Sequence, residues 1–427
     1  MSRELEVLEK LEKELNLKEL QIKSLLTITQ AINDNVAGAG LFNMYRSFLS
    51  WEMGITHMAL FIPSEDEDNL SWSCASYIGE QNASYDPEVL LPHLLEYKRL
   101  HTLKESDPSV LQDFDIVIPV FHKENPIAYS LIGGIKSKED LYNKIQFITT
   151  ITNIIAVAIE NKRLFKRQLK QERYKKEMEM ASNVQQMLIP HVLPSNDNYE
   201  VSTIYKPHFN IGGDYLDFID FDRGRFIFCI ADISGKGVAA ALLMANFQAM
   251  IQSLIFQYRD LETFIFALNQ TVYRVTQSDK FITFFVGEVD LSQKTLKYIN
   301  AGHYPPVLYQ GGEISRLTSG CTVIGAFEKL PFIQEETVKL EEGALVMCFT
   351  DGLADLTNQA GDLFEDKGIE DFVNLNGHLP VSDFHNKLLT RIDEYREGEP
   401  YPDDIAVISC KIKQFEDVPL KKFKPKT

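Results

Sequence analysis

Four short segments in the C-terminal part of the chain set aspartate beside apolar runs: IGGDYLDF (211–218), ADISGKG (231–237), FTDGLAD (349–355) and PDDIAV (402–407). Taken singly each is ordinary, because Asp is a common turn former and helix cap. Their placement says more. RFIFCIA leads into Asp232, ALVMCFT leads into Asp351, and Asp403 leads into IAVISCKI, so three carboxylates stand at the ends of strand-type segments. On neighbouring buried strands they would converge at one edge of a sheet, where sites commonly form. Carboxylates crowded into a poorly solvated place cannot all stay ionised without a compensating cation. All four segments offer oxygen donors and none contains His or Cys, so hard ions such as Mg2+ or Mn2+ are preferred over zinc or copper. Two such ions can share a carboxylate, lower the pKa of a water and present hydroxide in line to phosphorus.

The glycines in these segments have a physical use. Gly212 and Gly213 would let backbone come close to an ion, and Gly235 and Gly237 would permit a tight turn from strand to helix. The helix expected over VAAALLMANFQAMIQSLIF starts next to Asp232, bringing its positive N-terminal end toward the local anions. Rival motifs fail on single residues. IGGD lacks the Glu-Phe of a diguanylate cyclase, since Tyr215 and Leu216 follow it. For a P-loop, Ile230 stands where the first glycine is needed and Gly237 where Ser or Thr would hold Mg2+. Asp232 occupies the first glycine position of a hydrolase elbow, which argues against Ser234 as a nucleophile.

The elements that must position these residues occupy about half of the chain; the rest has its own pattern. Residues 1–35 carry Leu8, Leu11, Leu15, Ile22, Leu25 and Ile32 at three-four spacing between Glu and Lys, which predicts an N-terminal coiled-coil helix, or else a helix packed on its own domain. Residues 36–160 change to short strands (55–62, 71–79, 115–123 and 126–136), with a hairpin expected around Glu124 and Asn125, and close on an apolar helix from Tyr142 to Ile159. This order, with IPV followed by IAYSLIGG, resembles a GAF domain, a small sensor fold that often holds a ligand and also serves as a dimerising module. No Cys or His constellation marks a chromophore, haem or metal there, so the signal is unnamed. Residues 161–190 continue as a helix without Gly or Pro up to Ile189, and Met178, Ala181, Gln185 and Leu188 keep a spacing that would let two copies pair. A stiff connector of this kind would transmit a signal where a floppy linker would not.

Composition narrows the classes further. The 427 residues suggest two or three domains at roughly 150 residues each. A net charge of −18 argues against nucleic acid as the main partner. The five cysteines (Cys74, Cys229, Cys321, Cys348, Cys410) have no zinc or disulfide spacing, which fits a reducing compartment. No apolar stretch approaches the ~20 residues of a membrane span, and the N-terminus is too charged for a signal peptide. The expected location is cytoplasmic.

Read in order, GGDYLDF, ADISGKGVAAALLMA, YINAGHYPPVLY, FTDGLAD and DDIAV resemble the bacterial metal-dependent protein phosphatases of the type 2C (PPM) superfamily. The branch is that of stage II sporulation protein E and the phosphatases that activate alternative sigma factors. The resemblance implies an α+β chain whose phosphatase domain, residues 195–415, is a four-layer α-β-β-α sandwich, followed by a tail, 416–427. It implies two Mn2+ or Mg2+ ions. Asp232 would bridge them, Asp214 and the Ile233 carbonyl would serve one, and Asp351 and Asp403 the other; the same four aspartates would carry the catalysis. Asp404 falls outside that set and His303 is read as structural. The arginine that eucaryotic relatives use to grip phosphate has no counterpart. The implied activity is hydrolysis of phosphoserine or phosphothreonine on a partner-switching regulator, an anti-anti-sigma STAS-type protein, by a homodimer regulated through its sensor domain. The alternative is a catalytically silent dimeric scaffold that binds a regulator.

Overall fold

The computed structural model describes residues 2–64, 71–79, 86–135, 141–190, 192–208, 211–221 and 224–415, so the tail expected at 416–427 lies outside the described residues. The chain divides into two compact units, Met1–Arg173 and Tyr174–Thr427.

The first unit is built on a five-stranded antiparallel sheet in the order Trp72–Ile78, His57–Pro63, Asn125–Gly133, Ile116–His122, His101–Thr102. Side chains alternate across a strand. Met58 and Leu60 therefore face a core with Ile28, Tyr45, Ile148 and Ile151 from the helices, while Ala59 and Phe61 face Leu90 and Leu94 on the other side. With both faces covered, HMALFI reads as an unbroken apolar run. The hairpin turn is Lys123–Glu124, one residue earlier than the sequence suggests: Lys123 takes the left-handed conformation at φ 55° and Asn125 pairs with His122 in the ladder. In the helix Ser2–Asn33, Ile28 and Ala31 are buried, whereas Leu8, Leu11, Leu15 and Ile22 point to solvent.

One helix of 46 residues, Leu141–Gln186, begins in this unit with Phe147, Ile148, Ile151 and Ile155 buried. It has no internal Gly or Pro, and it stops three residues short of the expected Ile189, ahead of Pro190.

The second unit holds two sheets. The first runs Gly320–Cys321, Thr295–Ala301, Ile282–Asp290, Arg225–Ile233, Tyr215–Asp220, with Glu336–Lys339 also paired to Thr295–Ala301. The second runs Glu313–Arg316, Val307–Gln310, Leu345–Phe349, Ile405–Ile412, Tyr199–Lys206. Period-two alternation makes the layers. Val346, Cys348, Ala406, Ile408 and Cys410 pack into the core shared with the first sheet. Their neighbours Leu345, Met347, Phe349, Ile405 and Val407 pack with residues of the helices Glu365–Asn376 and Val381–Arg396. The helices Val238–Leu254 and Leu261–Thr276 cover the first sheet, with Phe247 edge-on to Phe284 at 5.3 Å. The result is the four-layer α-β-β-α sandwich within an α+β chain. The strand Tyr199–Lys206, at the start of the unit, pairs along its whole length with the final strand and so closes the domain.

Candidate functional site

Each aspartate-bearing segment falls where a strand begins or ends. Asp214 directly precedes the strand Tyr215–Asp220, and Asp232 lies at the end of Arg225–Ile233; these strands are antiparallel neighbours, with Tyr215 opposite Ala231. In the facing sheet, Asp351 stands two residues after Leu345–Phe349 and Asp403 two residues before Ile405–Ile412, again antiparallel neighbours, with Phe349 opposite Val407. Antiparallel pairing puts the end of one strand beside the start of the next. Each sheet therefore delivers two carboxylates to one edge.

Asp404 joins the two edges. Its Oδ1 accepts the His208 N–H and its Oδ2 the Gly213 N–H, both at 2.7 Å, so a carboxylate of the second sheet holds the loop that leads to Asp214 in the first. Close contacts explain two glycines. A Cβ on Gly212 would stand 2.4 Å from Asp404 Oδ2 and 2.7 Å from Tyr205 Oη, and one on Gly352 would stand 2.1 Å from the Asp404 carbonyl oxygen. The space at Gly212 is thus taken up by Asp404 and Tyr205. Gly213 would place a Cβ 3.0 Å from the Ile233 carbonyl, so that backbone oxygen sits beside the Asp214 loop. Gly235 and Gly237 have φ of 103° and 72°, the left-handed values the strand-to-helix turn requires.

The electrostatics are those of a crowded anionic cleft. Asp214 is buried, and its carboxyl is held well above the usual range by desolvation, then by Asp232 and Asp404; its Oδ2 is buried without a hydrogen-bond partner. Asp232 is pushed up to about 7 by desolvation, with Asp351, Asp403 and Asp404 adding to it. Asp351 and Asp404 are raised chiefly by burial as well. Asp214 thus feels the charge of Asp232, Asp404 and Asp351, and Asp232 that of Asp351, Asp403 and Asp404. Among the described residues no group of three or more His, Cys, Asp or Glu side chains is placed to hold a metal ion by itself. Two of the carboxylates are already engaged elsewhere: Asp403 Oδ2 pairs with Lys236 Nζ at 2.8 Å, and Asp404 is bound to the two backbone N–H groups.

Several neighbours have no Asp signature in the sequence. Lys236, within the segment rejected as a P-loop, is an exposed cation beside Asp403, and that carboxylate raises its pKa. Tyr205 donates to the Asp214 carbonyl at 3.4 Å, and Gln185 bonds Gly212. Only contacts between segments distant in the sequence reveal them. Asp217, in the same motif as Asp214, faces away: it accepts from Tyr215 Oη at 2.6 Å and Gln252 Nε2 at 2.5 Å and ties the first sheet to its covering helix. Ser234 Oγ accepts the Phe281 N–H. His303 is buried, with Nδ1 2.9 Å from Thr283 Oγ1, and burial lowers its pKa to about 4, so it is neutral near pH 7.

Comparison with known proteins places the domain. The family model "Stage II sporulation protein E (SpoIIE)" matches residues 222–413. "Phosphoserine phosphatase RsbP" of Bacillus subtilis is 26% identical over 247 residues, 56% of this chain and 58% of that protein, so the chain spans little more than half the length of that relative. "Phosphoserine phosphatase RsbU" of the same organism is 26% identical over 256 residues, 59% of this chain and 75% of that protein. The solved SiaA-PP2C domain of Pseudomonas aeruginosa has the same fold, with a TM-score of 0.52 at 20% identity over 57% of this chain and 99% of that domain. Among the described residues no helix is long and apolar enough to cross a membrane. Over residues 222–413 the chain is thus similar to the stage II sporulation protein E family.

Proposed function

We propose that the chain is a metal-dependent protein phosphatase that hydrolyses phosphoserine or phosphothreonine on a regulatory protein. The observation that supports this is that Asp214, Asp232, Asp351 and Asp403 stand at strand ends of the two sheets, with Asp351 and Asp403 of one sheet near enough to raise the carboxyl of Asp232 in the other. The residues fit a pair of hard divalent cations. Asp214 has a buried oxygen without a partner, burial and mutual charge push Asp214, Asp232 and Asp351 toward protonation, and every donor is oxygen. Asp232 would serve both ions, Asp214 with the Ile233 carbonyl one, and Asp351 with Asp403 the other. Bound there, Mn2+ or Mg2+ would offset the anionic charge, polarise the phosphoryl group and lower the pKa of water. The chain's own groups do the rest. Asp404 fixes the Asp214 loop through two backbone N–H groups. Lys236 adds positive charge at the rim of a cleft that would otherwise repel phosphate.

A partner-switching STAS-type phosphoprotein is the substrate that the family resemblance suggests, acted on in the cytoplasm. The first unit, read as GAF-like, would regulate turnover through the helix Leu141–Gln186. Two features support this: a cavity of about 770 Å3 lined by Ile32, Phe42, Ile62, Ile127 and Leu169 among others, large enough for a small molecule, and the exposed Leu8, Leu11 and Leu15, which suit pairing in a homodimer. The test of the activity is Mn2+-dependent phosphate release from a phosphoserine peptide by the full chain, with Asp232→Ala and Asp351→Ala beside it. Release abolished in both variants is expected; release untouched by either removes the metal assignment. Comparing a 174–427 fragment with the full chain tests the regulation, and equal turnover with no response to dimerisation would remove it.

A further inference from the structure

The loop that carries Asp214 is gripped by a residue from outside all four aspartate segments. Gln185, next to last in the helix Leu141–Gln186, is buried; its Nε2 donates to the Gly212 carbonyl oxygen at 2.7 Å and its Oε1 accepts the Gly212 N–H at 3.1 Å. Both polar ends of one amide are thus bound to the backbone of a single residue, a two-point contact that fixes orientation as well as distance. The helix end is itself anchored, because Leu188 and Ile189 pack into the core of the second unit. On its other sides the loop meets Asp404, which accepts from Gly213, and Tyr205, which donates to the Asp214 carbonyl. Gly212 sits at the centre of this arrangement: side chains occupy the space a Cβ would need. Asp214 follows two residues later, with one carboxylate oxygen buried and unpartnered.

We propose that Gln185 is a positioning residue: its clasp on Gly212 lets the end of the long helix set where Asp214 stands, and hence how tightly the cleft holds a divalent cation. The inference rests on reading the cleft as a metal-dependent phosphatase site. A residue that only stabilised the fold would move the unfolding midpoint and leave cation affinity alone. Outer groups that orient a ligand instead change metal affinity or activity by roughly 10–100-fold when removed.

The experiment uses the full chain freed of metal by chelation, titrated calorimetrically with Mn2+, with phosphate release from a phosphoserine peptide followed across Mn2+ concentration. Gln185→Met keeps the length of the side chain and removes both hydrogen bonds; Gln185→Glu keeps the acceptor for the Gly212 N–H and covers the case in which the first variant fails to fold. The expected result is Mn2+ binding weakened about 10–100-fold, with release climbing back toward the wild-type rate at high Mn2+. Folded variants that bind Mn2+ with wild-type affinity overturn the inference, as does a loss of rate that no Mn2+ concentration restores. Wild-type protein that neither binds Mn2+ nor releases phosphate overturns the phosphatase reading itself, and is told apart by needing no variant.

Discussion

Replacing Asp232 with asparagine should stabilise the metal-free protein while destroying its response to metal. In the fold, the Asp232 carboxyl titrates near 7 instead of the ordinary 3.8, because burial and three neighbouring carboxylates disfavour its charge. A carboxyl whose pKa is raised by folding contributes fully below the unfolded value near 3.8 and loses that contribution as pH climbs through about 7, where the folded state must give up its proton. At 1.36 kcal/mol per pH unit, a lone group would cost about 4 kcal/mol above pH 7. The carboxyls of Asp214, Asp351 and Asp404 are raised as well, chiefly by burial, and share the strain, so about 2 kcal/mol is the working figure for one substitution. For a unit of this size that is a midpoint increase of roughly 4–8 °C. The assay is calorimetric unfolding of wild type and Asp232→Asn in chelator from pH 5 to pH 8. The gap should widen with pH, and added Mn2+ should raise the wild-type midpoint alone. A variant no more stable than wild type at pH 8, or a gap that does not change with pH, would refute the reasoning.

Asp404→Asn should cost about 1–3 kcal/mol, because one of the two backbone N–H groups of His208 and Gly213 would face an amide NH2 instead of an acceptor. Urea unfolding measures it, and a Mn2+ titration should show weaker binding; no change in either would contradict the bracing role. Gly352→Ala would press a methyl against the Asp404 carbonyl oxygen, 2.1 Å from the position a Cβ would take, and should destabilise by about 1–3 kcal/mol. An unchanged urea midpoint would mean the loop yields without cost.

What could be read from the sequence followed the range of the interactions. The strands ending at Asp232 and Asp351 and the one beginning after Asp403 are apolar runs punctuated by a charge, a local pattern, so those elements and the edge at which their carboxylates gather were legible. The left-handed turn at Gly235 and Gly237 was legible for the same reason. Long-range partners were not. Gln185 and Gly212 are 27 residues apart, and His208 and Asp404 are 196 apart, and no spacing rule joins an amide on a helix to a backbone in a distant loop. At Gly212 the sequence suggests backbone lying close to an ion, whereas what a Cβ there would meet is Asp404 and Tyr205. The one-residue error at the 123–124 turn came from the left-handed Lys123, a residue type that does not announce that conformation.

The proposed chemistry needs divalent cations among Asp214, Asp232, Asp351 and Asp403. Anomalous diffraction at the manganese edge, from crystals of the full chain grown with Mn2+, would locate them directly. The prediction is two peaks within coordination distance of those side chains, with Asp232 touching both and the Ile233 carbonyl touching one. Crystals saturated with Mn2+ that show no peak in this cleft, or peaks bound to other residues, would contradict it.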